Sequence, residues 1–395
     1  MKGCGCGEIQ QGYIPTMANQ RFRIASYCSS PSWGGLEMNV LRFLRWMKAR
    51  DWPVALYGNP ETKMILAAAD DGIPTGPIVS KVRSGDLLNA WRLSRLIRKD
   101  NVGLLIVHRS LDLFLGVMAR KLAGSNCRLV YHQHMHIGVD KKDPYHAWLY
   151  RQFDAFVTPV QWLADRVMEK TTVPSERLHI IPRGIEVARF TTEQPSREDA
   201  RRRLGLPSDA WIVGLIGRLD PKKGQEIMVR ALDLIHREGH PIHLLLMGDP
   251  TFNEGDDYAR RVRDVIRKSG LEEFVHLNPF IEDVQTAYAA LDCFVLASKS
   301  EAYGMVTIEA LTSGLPVIGT NDGGTVSLID HERTGLLVEP MNVEALAAAL
   351  KRLLGEPGLA RRLGEAAREE ASVRFSHETQ CRAWEDLIVE LRSVS

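Results

Sequence analysis

No stretch of this 395-residue chain is apolar for long enough to cross a bilayer. The continuous run Val102–Val107 falls far short of the ~20 residues that a spanning helix needs. The first twenty residues, MKGCGCGEIQQGYIPTMANQ, also lack the apolar core of a secretory signal. They read as a disordered lead over residues 1–20, with Met17 an alternative start. Cysteine is sparse. Of the six, Cys28, Cys127 and Cys293 sit in or beside apolar, strand-like surroundings and read as small buried hydrophobes. Cys4-Gly-Cys6 resembles half of a metal site, but no second pair follows it. Scattered thiols in a chain of this length fit a reducing cytoplasm rather than a disulfide framework. Short internal repeats and low-complexity tracts are absent, which excludes solenoids and arrays. A GxGxxG turn after a first strand is missing as well, because neither Cys28–Gly35 nor Gly214–Gly217 has that spacing. This argues against an oxidoreductase with a nicotinamide-binding domain.

What is present is the composition of a globular protein, 45% apolar and 25% charged, in a chain long enough for two cores. The net charge of +1 hides an asymmetry: residues 1–187 carry 25 Lys+Arg against 16 Asp+Glu, and the remainder 25 against 33. A basic amino-terminal half points to an anionic partner, a membrane surface or a nucleic acid. Two helices predicted in that half are basic: Leu36 to about Ala49, with Arg42, Arg45, Lys48 and Arg50, and Asp86–Lys99, with Arg92, Arg95, Arg98 and Lys99 beside Trp91. Basic helices bearing tryptophan suit a membrane surface, although solvated helix faces give the same pattern. Nucleic acid has no known motif or aromatic interleaving to support it.

Strands are predicted at Arg23–Cys28, Val54–Tyr57, Gly103–Val107, Arg128–Tyr131, Phe153–Thr158 and Leu178–Ile181, alternating with helices. Several are apolar throughout, the mark of strands buried on both faces of a parallel sheet. The polar stretch 191–209, TTEQPSREDARRRLGLPSD, contains no strand and marks a domain boundary. A second alternation follows, with strands at Trp211–Gly217, His243–Met247, Val275–Leu277, Cys293–Leu296, Val317–Gly319 and Gly335–Val338. Helices are predicted at Gln225–Arg237 and from about Val343, Leu359 and His377.

Chemistry-bearing residues gather where strands end. Ser29 to Gly35 is a glycine-bearing loop from a strand into a helix, suited to backbone approach to a phosphate or sugar and equally to an ordinary turn. His132, His134 and His136 alternate, so that i and i+2 project to one side as metal ligands would. No Asp, Glu or Cys partner stands near them at a recognisable spacing, so the expectation is no metal and a histidine facing a cleft. In Gly217–Gly224, GRLDPKKG, Arg218 and Lys223 make either a diphosphate clamp or a solvated turn. The stretch 298–324, SKSEAYGMVTIEALTSGLPVIGTNDGG, sets Glu301 and Glu309 eight positions apart around a Tyr-Gly turn. With a helix starting near Gly304, Glu301 lies in the loop before it and Glu309 on it, a two-sided grip for a polyhydroxylated ligand. Solvated surface charge is the plainer reading of the same pair.

Four landmarks in order, Gly34-Gly35 with Leu36-Glu37, GRLDPKKG, the ExxxxxxxE pair and GLPVIGTNDGG, make the chain resemble the retaining family-4 glycosyltransferases of the GT-B fold, from about Ile24 to the last helix. The resemblance implies an α/β fold of two Rossmann-like domains facing across a cleft. A lead over 1–20 would precede an acceptor-binding domain over 21–187. A nucleotide-sugar domain over 188–375 would follow, then a helix over 376–395 crossing back to the first domain. It implies that Arg218 and Lys223 hold the donor diphosphate, Glu309 the ribose and Glu301 a sugar hydroxyl. Backbone N–H groups of Gly304, Met305 and Val306 would meet the sugar and β-phosphate. Gly34 and Gly35 would wall the cleft, and His132 would lie near the sugar and acceptor. Departures are Tyr303 where the family commonly has Phe, Ser327 where it has Glu, and Arg183 where it has Asn.

The implied reaction is metal-independent and needs no cofactor: a sugar passes with retention from a nucleotide-diphosphate sugar to a hydroxyl of a glycan or lipid-linked acceptor, in cell-surface polysaccharide or glycolipid synthesis. The expected setting is cytoplasmic, with peripheral docking on the inner face of an anionic membrane. A catalytically silent nucleotide-sugar-binding module and a phosphorylase of the same fold are the alternatives.

Overall fold

The computed structural model describes residues 22–80, 85–124, 126–250 and 257–393. The lead over 1–20, Met17 and the Cys4-Gly-Cys6 pair lie outside them.

The first half builds β1 (Arg23–Cys28), α1 (Gly35–Ala49), β2 (Val54–Gly58), α2 (Lys63–Asp70), β3 (Thr75–Pro77), α3 (Leu87–Lys99) and β4 (Val102–Val107). It continues through α4 (Leu113–Ala123), β5 (Arg128–His132), α5 (Pro144–Tyr150), β6 (Ala155–Thr158), α6 (Gln161–Lys170) and β7 (Leu178–Ile180). The second half opens with α7 (Arg197–Leu204), β8 (Ile212–Ile216), α8 (Gln225–Arg237), β9 (His243–Met247), α9 (Asp257–Lys268) and β10 (Val275–Asn278). Then come α10 (Val284–Ala290), β11 (Cys293–Leu296), α11 (Met305–Thr312), β12 (Val317–Thr320), β13 (Leu336–Val338), α12 (Val343–Gly355), α13 (Pro357–Arg374) and α14 (His377–Ser393).

All pairings are parallel, in the orders β3-β2-β1-β4-β5-β6-β7 and β10-β9-β8-β11-β12-β13. Continuous apolar runs make this possible: β8 (IVGLI) and β11 (CFVL) are buried along their whole length, so helices must cover both faces. The helix α8 supplies such a cover, with Met228, Val229, Leu232 and Ile235 on one face. Two sheets, each wound from strand-helix units, give the two Rossmann-like domains of an α/β, GT-B architecture.

The polar stretch over 191–209 proves to contain a helix. Ser196 caps α7 by accepting from the Asp199 N–H, and Gly205, left-handed at φ 67°, ends it. Beside the small apolar contact of Ala200 and Leu204 with the core, its anchorage is ionic, with buried Arg201 on Asp292 at 2.8 Å and on the Ala290 carbonyl at 3.0 Å. No hydrophobic period was there to read.

The domains share a core. Val160, Leu163 and Ile185 cluster with Tyr303, Ile308, Leu328 and Phe375 across the joint. The helix α14 packs on the first domain: Cys381, Trp384, Leu387 and Ile388 join Ile24, Phe43 and Leu104 in one cluster, and Arg50 forks onto Glu385 at 3.0 and 2.5 Å. Cys28, Cys127, Cys293 and Cys381 are free and buried.

Candidate functional site

In each sheet the winding reverses beside the first strand, between β1 and β4 and between β8 and β11, so the loops leaving these strands diverge and open a crevice at the carboxyl edge. Glycine brings the two loops of the second sheet together. Gly224, at φ 76°, passes so close that a Cβ there would stand 2.3 Å from the Ala297 carbonyl oxygen. Beside it the Lys299 N–H donates to the Lys222 carbonyl at 2.8 Å. The consequence is that Lys223 Nζ lies 2.5 Å from Glu301 Oε2.

Glu301 is held from its other side by the paired glycines. The Gly324 N–H donates to the Glu301 carbonyl at 2.6 Å, and Cβ atoms at Gly323 and Gly324 would fall 2.4 and 2.3 Å from the carbonyl oxygens of Glu301 and Ala302. Ser300, left-handed at φ 55°, is kept there by Asp322, which accepts its N–H at 2.8 Å. GLPVIGTNDGG is therefore the strand and turn that fix the Glu301 loop. Beyond that loop Gly304 (φ 79°) admits α11, whose first turn has no side-chain cap, leaving the N–H groups of Met305 and Val306 at the positive end of the helix.

One turn further on, Glu309 is buried. Tyr288 Oη donates to its Oε2 at 2.8 Å, and no other side chain among the described residues bonds to the carboxylate. Burial raises its pKa, opposed by the charges of Arg42 and Arg189 and by the Tyr288 hydrogen bond. Arg218 is exposed and makes no ion pair among the described residues.

On the first domain, Gly34-Gly35 leads into α1, with Gly34 N–H donating to Glu37 Oε2 at 2.9 Å. Neither glycine has positive φ, and a Cβ at Gly35 would meet nothing within 4 Å. The chain's own packing does not require these glycines. His132 and His134 stand at the end of β5 with ring centroids 4.4 Å apart, while His136 turns out to the surface against Trp162. The third ring of the cluster is instead His108 at the end of β4, bonded through Nδ1 to His134 Nε2 at 3.1 Å and through Nε2 to Ser26 Oγ at 3.0 Å. One ring nitrogen from each of these three buried histidines lies within 4.8 Å of the others. Burial first, and then the Arg183 charge, pushes His108 down to about 3. His132 and His134 are likewise driven well down by burial, so all three are neutral near pH 7.

Arg183 follows β7 at the domain joint. The Tyr303 hydroxyl takes its backbone N–H at 2.8 Å and donates to its carbonyl at 3.0 Å, and the guanidinium lies 5.1 Å over the Tyr303 ring. Two of the departures from the resembled pattern thus touch one another.

Of the residues singled out in the sequence, Arg218, Lys223, Glu301, Gly304, Met305, Val306 and Glu309 line the crevice of the second sheet. Gly34, Gly35 and His132 stand on the corresponding edge of the first. Lys223 and Glu301, read as separate ligand contacts, are bonded to each other. His108 and Tyr288 had no role in the sequence reading, although His108 closes a strand just as His132 does. A cavity of about 410 Å³ between Trp211, Asp292, Gly314 and Arg368 is at the opposite, amino end of the second sheet. The basic face of α1 is largely engaged: Arg45 pairs with Asp71 and Arg50 with Glu385, while Lys48 donates to the Asp71 and Gly72 carbonyls.

Comparison with known proteins agrees with this geometry. The family model described as Glycosyltransferase Family 4 matches residues 33–189, and that described as Glycosyl transferases group 1 matches residues 196–370. The D-inositol 3-phosphate glycosyltransferase of Salinispora arenicola is 27% identical over 228 residues, 55% of this chain and 51% of that protein. That of Corynebacterium urealyticum is 31% identical over 212 residues, 52% and 49%. The chain spans about half the length of the curated relatives it matches. A glycosyltransferase from Rickettsia africae superposes with a TM-score of 0.86 over 95% of this chain and 100% of that one, at 21% identity. Anabaena HepE in complex with UDP-glucose gives 0.77 over 93% and 100%, at 22%. At these identities the structures establish the GT-B fold. Two adjoining family models, each seated on its own sheet of that fold, place the chain among the group 1, family-4 glycosyltransferases.

Proposed function

We propose that the chain is a retaining glycosyltransferase that takes a nucleotide-diphosphate sugar as donor. The observation that carries this reading is the junction of the Arg218–Lys223 turn with the Glu301 loop over the uncapped start of α11. Cations, helix N–H groups and carboxylates there match the charges and hydroxyls of such a donor. HepE was solved with UDP-glucose, which supports the same donor class.

In this reading Arg218 and Lys223 take the diphosphate, and the Lys223–Glu301 pair opens as the ligand enters. Lys223 turns to a phosphate oxygen and Glu301 accepts from a sugar hydroxyl. Glu309 accepts from the ribose hydroxyls. As the bond from the anomeric carbon to the diphosphate oxygen breaks, the electron pair leaves with the diphosphate, whose growing charge the two cations and the α11 amides stabilise. The acceptor hydroxyl attacks from the same face, and its proton passes to the departing diphosphate. No metal, cofactor or protein nucleophile takes part. His132, neutral and buried, shapes the floor beneath the sugar.

The acceptor is a glycan or lipid-linked hydroxyl, met at the basic first domain during polysaccharide or glycolipid synthesis. Nucleic acid is not a partner. The face of α3 suits docking on an anionic membrane: Leu87, Leu88 and Trp91 are exposed, with Arg95 5.0 Å over the Trp91 ring. None of the described helices is long and apolar enough to cross a membrane.

The deciding experiment is release of nucleoside diphosphate from a panel of UDP-, GDP- and ADP-sugars, with and without added acceptors. Turnover that depends on one donor supports the reading. Absence of both release and nucleotide binding across the panel refutes it, and turnover only with inorganic phosphate identifies a phosphorylase.

A further inference from the structure

Arg183 is a cation in the wrong place for a structural residue. It is buried, yet its Nε and Nη2 have no hydrogen-bond partner among the described residues, and no carboxylate there pairs with it. The acid whose charge it feels is Glu301, already bonded to Lys223. Burial lowers its pKa only to about 10, so it stays charged at neutral pH. A guanidinium offers five donors, and a protein that buries one ordinarily supplies acceptors for them. Its backbone is gripped firmly: the Tyr303 hydroxyl bonds both its N–H and its carbonyl, and the Gly184 N–H donates to Gln380 Oε1 at 2.6 Å. The charge is held in place rather than stranded by a loose loop.

Its surroundings join the two sheets. On one side is the Tyr303 ring at the Glu301 loop. On the other, the charge of Arg183 reaches all three histidines at the carboxyl edge of β4 and β5. Their rings are neutral and cannot compensate it. His132 Nε2, His134 Nδ1 and the Thr158 hydroxyl at the ends of β5 and β6 are themselves buried without partners among the described residues. A metal ion among these histidines would be repelled by the guanidinium, and both ring nitrogens of His108 are already bonded. A fixed positive charge walled by neutral polar groups calls for an anion.

We infer that Arg183, seated over the Tyr303 ring with its Nε and Nη2 unpartnered among the described residues, is an anion subsite at the sugar and acceptor end of the cleft, distinct from the Arg218–Lys223 clamp, and that the substrate group docking there carries a carboxylate or a phosphate. This deepens the donor reading above and rests on it for the orientation of the cleft. An acidic sugar or a phosphorylated acceptor would place its oxyanion against the free Nε and Nη2 edge, with the imidazoles as further donors. A neutral Asn at this position would bring no charge to such a group.

The test titrates the full chain, saturated with whichever of UDP, GDP or ADP stabilises it, with inorganic phosphate, glucuronate and glucose at matched ionic strength. Phosphate or glucuronate should raise Tm while glucose does not. Arg183→Gln should lose that shift and weaken anion binding at least tenfold, while Arg183→Lys keeps part of it. Nucleotide affinity should change less than twofold in both variants, which also shows that they are folded. An anion shift retained in Arg183→Gln, or absent from the wild type, overturns the subsite. A tenfold fall in nucleotide affinity in Arg183→Gln reassigns the charge to the donor diphosphate and overturns it equally. A wild type that responds to no nucleotide fails the donor reading instead. The anion response is then scored without nucleotide, in an Arg218→Gln background.

Discussion

Glu309 places a carboxylate inside the second domain where, among the described residues, only the Tyr288 hydroxyl bonds it. Its raised pKa works against stability: the folded state holds the proton more tightly than the unfolded one. Its contribution therefore falls as pH rises from the ordinary carboxylate value through the raised one, and the penalty is complete above that. Glu309→Gln keeps an acceptor for Tyr288 and removes the charge. It should raise Tm at pH 7 by ~2–4 °C per kcal/mol regained, a gain that vanishes toward pH 4.5. The same variant should lose about tenfold or more in donor affinity, the worth of a charged hydrogen bond. Calorimetry and nucleotide titration read the two, and unchanged affinity would remove Glu309 from the site. Gly35 makes the complementary case. Because its Cβ direction is open, Gly35→Val should leave Tm within about 2 °C, as surface changes do, yet weaken donor binding several-fold in a titration.

At the scale of elements, α14 matters through Trp384, fully buried 5.0 Å from the Phe43 ring and 5.4 Å from the His132 ring. The last helix thereby touches both the first domain's core and the histidines at the end of β5. The helix α3 does the opposite, leaving Leu87, Leu88 and Trp91 exposed among arginines. If this face docks on membranes, the chain should co-sediment with vesicles containing about 30% anionic lipid and not with neutral ones. Trp91→Ala combined with Arg95→Ala should release it, as should high salt. Binding indifferent to anionic lipid would show that the face is merely solvated. The contrast with α1 comes from packing. Counting Arg50 at the end of α1, both carry four basic residues in sequence, but Asp71, Glu385 and the Asp71 and Gly72 carbonyls claim Arg45, Lys48 and Arg50.

Over the whole molecule, the buried histidines should govern acid sensitivity. His108 stays neutral when folded down to about pH 3, whereas an unfolded imidazole takes a proton near 6.5. A depressed folded pKa means stability that is complete above 6.5 and is lost as pH falls. At pH 5 the loss from His108 alone is about 2 kcal/mol. Tm should therefore drop between pH 7 and pH 5, and less steeply in His108→Gln. An equal slope in that variant would show that His108 is not buried neutral. Much of this molecule was legible before any coordinates. Apolar strands and glycine turns announced two wound sheets, with Glu301 in the loop before a helix and Glu309 on it, because local backbone geometry and hydrophobic period are written in consecutive residues. The helix α7 escaped because its apolar face is only Ala200 and Leu204, and Arg201 on Asp292 anchors the rest. The order of strands, which sets His108 beside His132 and His134, was decided only in the fold, as were the Lys223–Glu301 bond and the burial of Arg183 without a counter-charge among the described residues. These are contacts between residues far apart in the chain, and no local pattern encodes which distant charge a side chain meets or whether it meets one at all.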